Sequence, residues 1–298
     1  MEHTESVPTT AAPDLAPDRH SPDSHTPDRR QHVHSMLMRE SLLDKAVISS
    51  TELPVVRMLP FCHVIKVGGR SIIDYGKGPT YPLVEAIAAA LRDFKLVIGT
   101  GGGIRARHVT AIAMDLGLPT GVLAQLRVID ALGNAHLLGT LLAPQGVVAI
   151  PPEILGHMLP FFIRAAPGVI CNGDPPFSLW EHPPIVGRIP PHRTDAGMFL
   201  LAECYGCATF TLIKDVDGLY DADPKTHAGA DLIRDITVSE LRERRLKTLP
   251  FDRVLLDLLA NARQMKQVQI INGWKPHLLE PALRGEHVGT MIRKDDPS

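Results

Sequence analysis

Fourteen consecutive residues, Leu212–Lys225 (LIKDVDGLYDADPK), set a lysine, Lys214, among four carboxylates: Asp215, Asp217, Asp221 and Asp223. A lysine can meet a phosphate, an aspartate can hold Mg²⁺ or pin the lysine, and the ring of Tyr220 offers a flat face to a base. Gly218 supplies a turn between them. The same composition would also serve an acidic surface loop following an edge strand, so the stretch by itself leaves both readings open.

Three other stretches carry related chemistry. Lys66-Val-Gly-Gly69 turns off the end of an apolar run, and glycines next to a lysine let the backbone approach an anion closely. Gly99-Thr-Gly-Gly-Gly103 follows a second apolar run and leads to Arg105, Arg107 and His108, so its free N–H groups would stand at a helix N-terminus, where anions bind. It is not a Walker A loop, since G-x-x-x-x-G-K-[ST] is absent. Nor does an acidic residue about 20 positions on complete a dinucleotide fingerprint. Arg193-Thr-Asp195 opens a helical run, where Thr194 or Asp195 would cap the helix or Asp195 would orient a lysine beside phosphates. His136 falls on a helical stretch and His157 in the same half of the chain, and lone histidines on helices usually pack or face solvent. Cys204-x-x-Cys207 lacks a second pair and reads as packing rather than zinc or redox chemistry.

The elements that must hold these residues alternate. Strands are expected at His63–Val67, Lys95–Ile98, Val147–Ile150, Gly168–Cys171, Thr209–Ile213, Gln267–Ile271 and Gly289–Ile292. Helices are expected at Tyr81–Phe94 (with Pro82 in its first turn), Ala106–Leu116, the later part of Gly121–Leu142, Ala196–Tyr205, Asp252–Gln264 and Leu278–Leu283. Such alternation implies an α/β three-layer sandwich with a mainly parallel central sheet, its ligand site along the edge where the glycine loops lie. A Pro-rich loop bearing Phe177 and Trp180 separates two of these elements and is a place where function tends to sit.

Residues 1–54 differ in kind: repeated Pro-Asp pairs and His3, His20, His25, His32 and His34 suggest a solvated tail, with a short helix at Met36–Ala46, ahead of a folded body at 55–298. A net charge of −2 gives no basic field for nucleic acid. No apolar run approaches a membrane span, no signal-peptide h-region is present, and four cysteines make no disulfide framework, so a cytoplasmic globular protein is expected.

Taken together, Lys66-Val-Gly-Gly69, Gly99–Gly103, Arg193-Thr-Asp195 and the Lys214–Pro224 loop resemble the amino acid kinase superfamily in order and spacing. Arg105-Ala-Arg-His108, Gly117–Ala124, Ile189–Gly197 and Leu283–Thr290 are more similar to subunits of the bacterial molybdenum storage protein family. That resemblance implies a kinase-like fold assembled as a hexameric cage, in known cases from two related subunit types, binding ATP with Mg²⁺ and depositing molybdate or tungstate as polyoxometalate clusters. It implies catalytic roles for Lys66, Lys214 and Asp195. Gly68, Gly69, Arg70, Gly101, Gly102 and Gly103 would meet the phosphates, and Asp217, Gly218, Tyr220, Asp223, Pro224 and Lys225 would surround the nucleotide. His136 matches a cluster-lining position, with His157 a displaced second. Pro151-Pro152 and Phe161-Phe162 stand where further cluster histidines are expected. The rival readings are a small-molecule kinase of the UMP kinase type and a nucleotide-binding member without turnover.

Overall fold

A computed structural model describes residues 55–295; the expected tail helix and the five tail histidines lie outside them. An eight-stranded sheet runs in the order β3-β4-β2-β1-β5-β9-β10-β8. Its central strands are β1 (Cys62–Val67), β2 (Lys95–Thr100), β4 (Gly168–Asn172), β5 (Thr209–Lys214) and β9 (Gln267–Asn272). The flanks are β3 (Val148–Ala149), β10 (Thr290–Arg293) and β8 (Asp235–Thr237). Every pairing is parallel except β9 with β10. The strands form from nearly unbroken apolar runs because helices cover both faces.

Alternation along β1 divides the interior. Cys62 and Val64 join a core with α4 (Pro152–Ala165), α5 (Thr194–Tyr205) and α7 (Leu255–Asn261), through Leu159, Phe199 and Leu259. Ile65 and Val67 join a second core with α1 (Lys77–Ala90), α3 (Thr120–Leu142) and α8 (Leu279–Leu283), through Leu83, Leu138 and Leu279. The remaining helices are α2 (Gly103–Asp115), packed along α3, and the short α6 (Val238–Glu243). The mixed α/β sandwich expected from the sequence is therefore present. No helix among the described residues is long and apolar enough to cross a membrane.

Several boundaries depart from expectation. Helix α1 starts at Lys77, after Gly76 at φ 70°, so Pro82 sits inside it rather than in its first turn. Helix α3 is helical from Thr120 onward, not only in its later part. The expected Asp252–Gln264 helix shrinks to α7, for a tertiary reason at each end. The Asp252 N–H and carboxylate bond to α5, and the Glu203 carboxylate captures the N–H groups of Arg263, Gln264 and Met265. Helices α4 and α6, strand β8 and a hairpin of β6 (Leu219–Tyr220) with β7 (Leu232–Ile233) were not anticipated. Proline at the first position of α4 and the Thr237-x-x-Glu240 capping box of α6 were the available signals.

Candidate functional site

The register of β1 against β5 sets Lys66 opposite Leu212. Lys214 lies two residues further on, so both lysines leave the same face of the sheet. That face is covered by α5, and its second residue, Asp195, meets both. Lys66 Nζ lies 2.7 Å from Asp195 Oδ1, and Lys214 Nζ donates to Oδ1 and Oδ2 at 2.9 and 2.8 Å. All three side chains are buried. Burial alone would raise the Asp195 pKa, but the two ammonium groups outweigh it and hold the carboxyl well below the usual carboxylate range. Burial pushes the Lys214 ammonium down to about 8, with Lys66 adding to the fall and Asp195 opposing it.

The expected side-chain cap of α5 by Thr194 or Asp195 does not form. Asp252 does this work from 57 residues away: its Oδ2 accepts from Asp195 N and Ala196 N at 3.2 and 3.4 Å. In return Asp252 N donates to Asp195 Oδ2 at 3.2 Å, and Arg193 lies 2.7 Å from Asp252 Oδ1. This frees Asp195 to serve the lysines.

The lysine pair opens into a cleft of about 650 Å³. Gly68, Gly69, Arg70 and Gly101, Gly102 and Gly103 form one wall, and Gly218, Tyr220, Asp223, Pro224 and Lys225 form another. The two glycine loops touch backbone to backbone, since a Cβ on Gly69 would overlap Gly101 O and Gly103 N. Asn134, fully buried on α3, donates to Gly101 O at 2.6 Å and accepts from Arg105. The α2 N-terminus is not wholly free for an anion: Asp74 Oδ2 takes the Ile104 N–H at 2.6 Å. The Gly101 N–H is used by Val67 O.

Arg107, Arg127 and Arg193 extend the cationic lining. Burial, then the crowding of Arg70, Arg193 and Arg127, lowers the Arg107 pKa. Behind them burial pushes the Asp174 carboxyl up to about 6, against the pull of Arg127. Asp195 and Asp252 have both oxygens engaged by lysines, arginine or backbone. For magnesium, the other wall carboxylates are Asp215, 2.5 Å from Lys225 Nζ, and Asp223. That set fits an ion that keeps several waters and needs one or two carboxylates beside phosphate oxygens.

The structure thus brings together every nucleotide and catalytic residue named from the sequence except Asp217, which lies off the cleft wall. It is held by Asn272 Nδ2 at 2.9 Å and Lys275 at 2.6 Å. His136 on α3 and His157 on α4 are exposed and line no part of the cleft. Among the described residues the group of metal-capable side chains that does converge is Glu181, His182 and His192, on the Pro-rich loop. All four cysteines are free; Cys204 is exposed, while burial pushes Cys207 up to about 12, as suits packing. Sequence reasoning missed the parts played by Asp74, Arg127, Asn134 and Asp252, whose partners come from distant segments.

Residues 169–272 match the model of the amino acid kinase family. The chain is 45% identical to the molybdenum storage protein subunit beta of Azotobacter vinelandii, over 87% of this chain and 96% of that protein. It is 30% identical to the uridylate kinase of Staphylothermus marinus, over 77% of this chain and 97% of that one. Among solved structures, uridylate kinase from Archaeoglobus fulgidus superposes with a TM-score of 0.61 at 23% identity, covering 78% of this chain and 99% of that chain.

Proposed function

The chain belongs to the molybdenum storage protein family, within the amino acid kinase superfamily, and we propose that it is an ATP-binding subunit of such a store. In this reading it uses Mg-ATP to deposit molybdate or tungstate as polyoxometalate clusters inside a cytoplasmic, hexameric cage, with a second, paralogous subunit type as its natural companion. The observation that carries the proposal is 45% identity to a storage subunit along nearly its whole length. The cleft supplies the chemistry.

Lys66 and Lys214 stand at the base of the cleft with glycine-loop N–H groups beside them, where the β- and γ-phosphates of ATP would find matched charge. Asp195 orients both lysines. Tyr220 and Pro224 flank the nucleotide, and Lys225 adds a further cation. Magnesium, when bound, neutralises phosphate oxygens, with Asp215 or Asp223 as its protein ligand. In a storage subunit the leaving phosphoryl passes to water, and the energy released drives uptake of the oxyanion. His136 faces the cluster in this proposal, on the exposed side of α3.

The test is the molybdenum content of the purified oligomer after incubation with molybdate, with and without Mg-ATP. Many molybdenum atoms per chain, retained only when ATP is supplied, are expected, and His136→Ala should retain fewer without losing ATP binding. A second reading, a small-molecule kinase, is favoured by the 30% identity to a uridylate kinase. It predicts no retained metal and ATP turnover stimulated by UMP.

A further inference from the structure

The Pro-rich loop between β4 and α5 holds a cluster that the cleft chemistry does not use. The Glu181 side chain is only 1% exposed, and among the described residues its cationic partners are His182 and His192. A carboxylate taken out of water needs compensating positive charge as well as hydrogen bonds. The backbone supplies hydrogen bonds alone: His182 N donates to Oε1 and His192 N to Oε2, each at 3.0 Å. These two bonds fix the carboxylate's orientation and leave its charge unmatched.

The two rings then face it. His192 Nδ1 lies 3.1 Å from Glu181 Oε1, and His182 Nε2 lies 3.9 Å from the same oxygen. His182 Nδ1 sits 3.1 Å from Pro183 O, which can only accept, so in the neutral ring Nδ1 carries the proton and Nε2 turns a bare lone pair toward the carboxylate. A cation placed between the two atoms would satisfy both. A backbone carbonyl holding the far nitrogen is also how metal-bound imidazoles are oriented. A tetrahedral ion with bonds of about 2.0–2.2 Å separates its ligand atoms by roughly 3.3–3.6 Å. The observed 3.1 and 3.9 Å bracket that spacing, and all three atoms lie within 4.8 Å of one another.

We propose that Glu181, His182 and His192 bind a divalent first-row transition cation of the zinc type, with a fourth position open to solvent. Two imidazoles and one carboxylate suit zinc rather than magnesium or calcium, which prefer oxygen. His182 is 65% exposed and provides the route of entry, whereas His192 is 13% exposed and packs its edge against Phe177. The ion ties the start of the loop's second half to its end. The residue after His192 is Arg193, which anchors the α5 N-terminus through Asp252, so the site fastens the segment leading into Asp195.

The experiment uses the full chain, stripped with chelator, titrated with zinc chloride and desalted before elemental analysis. Because residues 1–54 contain five histidines, the readout is the difference between wild type and variants. Wild type should retain one zinc per chain more than His182→Ala, whose exposed ring makes misfolding no confounder, and more than Glu181→Gln. The affinity of that zinc should weaken by at least about 100-fold in either variant, and His136→Ala should match wild type. Cobalt in place of zinc should give the intense visible band of a tetrahedral ion in wild type and lose it in His182→Ala. Equal zinc in wild type and His182→Ala overturns the site, and a cobalt spectrum unchanged by that substitution does the same.

Discussion

Lys214 illustrates how much one side chain's surroundings decide. Its pKa is depressed to about 8, chiefly by burial, so the folded protein releases this proton well before an ordinary lysine would. The ratio kcat/KM for ATP hydrolysis reports the free protein and should fall as pH rises through about 8. Lys214→Arg, whose guanidinium does not titrate there, should move that fall to higher pH. Lys214→Ala should lower kcat by about 100-fold or more; unchanged turnover would remove the lysine from the reaction. Lys66, Asp195 and Lys214 were legible in the sequence because each sits in a short motif at a strand or helix end. Asp252, Asn134 and Asp74 were not, because they act on atoms 57, 33 and 30 residues away and no local pattern encodes such pairs.

Among elements, the contact between the β1 and β2 glycine loops is the least tolerant. A methyl group at Gly69 would meet backbone atoms of Gly101 and Gly103, neither of which can rotate aside. Gly69→Ala should therefore force the loops apart, at about 1–3 kcal/mol of stability, and weaken ATP binding. Thermal melts and nucleotide titrations check this, and a variant with wild-type values for both would show that the loops yield freely. The central strands were readable because burial on both faces leaves apolar runs that few polar residues interrupt. Helix ends were less so. Helix α7 is cut short by side chains from α5 that its own composition does not reveal, and α4 opens on Pro152 behind an N-cap Pro151, a start signal that was not used.

For the molecule as a whole, the strand order changes direction at β1, with β2 on one side and β5 on the other. The crevice beyond their carboxyl ends is the position a parallel sheet offers a ligand, and both lysines stand there. A nucleotide bound to the native state alone should raise the melting temperature, adding about 2.7 kcal/mol at a hundredfold excess over Kd. Lys66→Ala should blunt the shift, and the absence of any shift in wild type would exclude ATP from the cleft. The alternation of strands and helices foretold this architecture, whereas the β6–β7 hairpin, only two residues per strand, was too short to leave a periodic signal. With a net charge of −2 the chain has no long-range pull on anions, and Asp195 already answers the two lysines nearest the cleft floor. It acts as a resident counter-ion: one carboxylate against two ammonium groups leaves a single net positive charge at the cleft floor, and Asp195 holds that pair of lysines in place. A small anion such as chloride would meet only that charge, whereas a polyphosphate would also reach the glycine loops, Arg107 and Lys225 along the cleft wall.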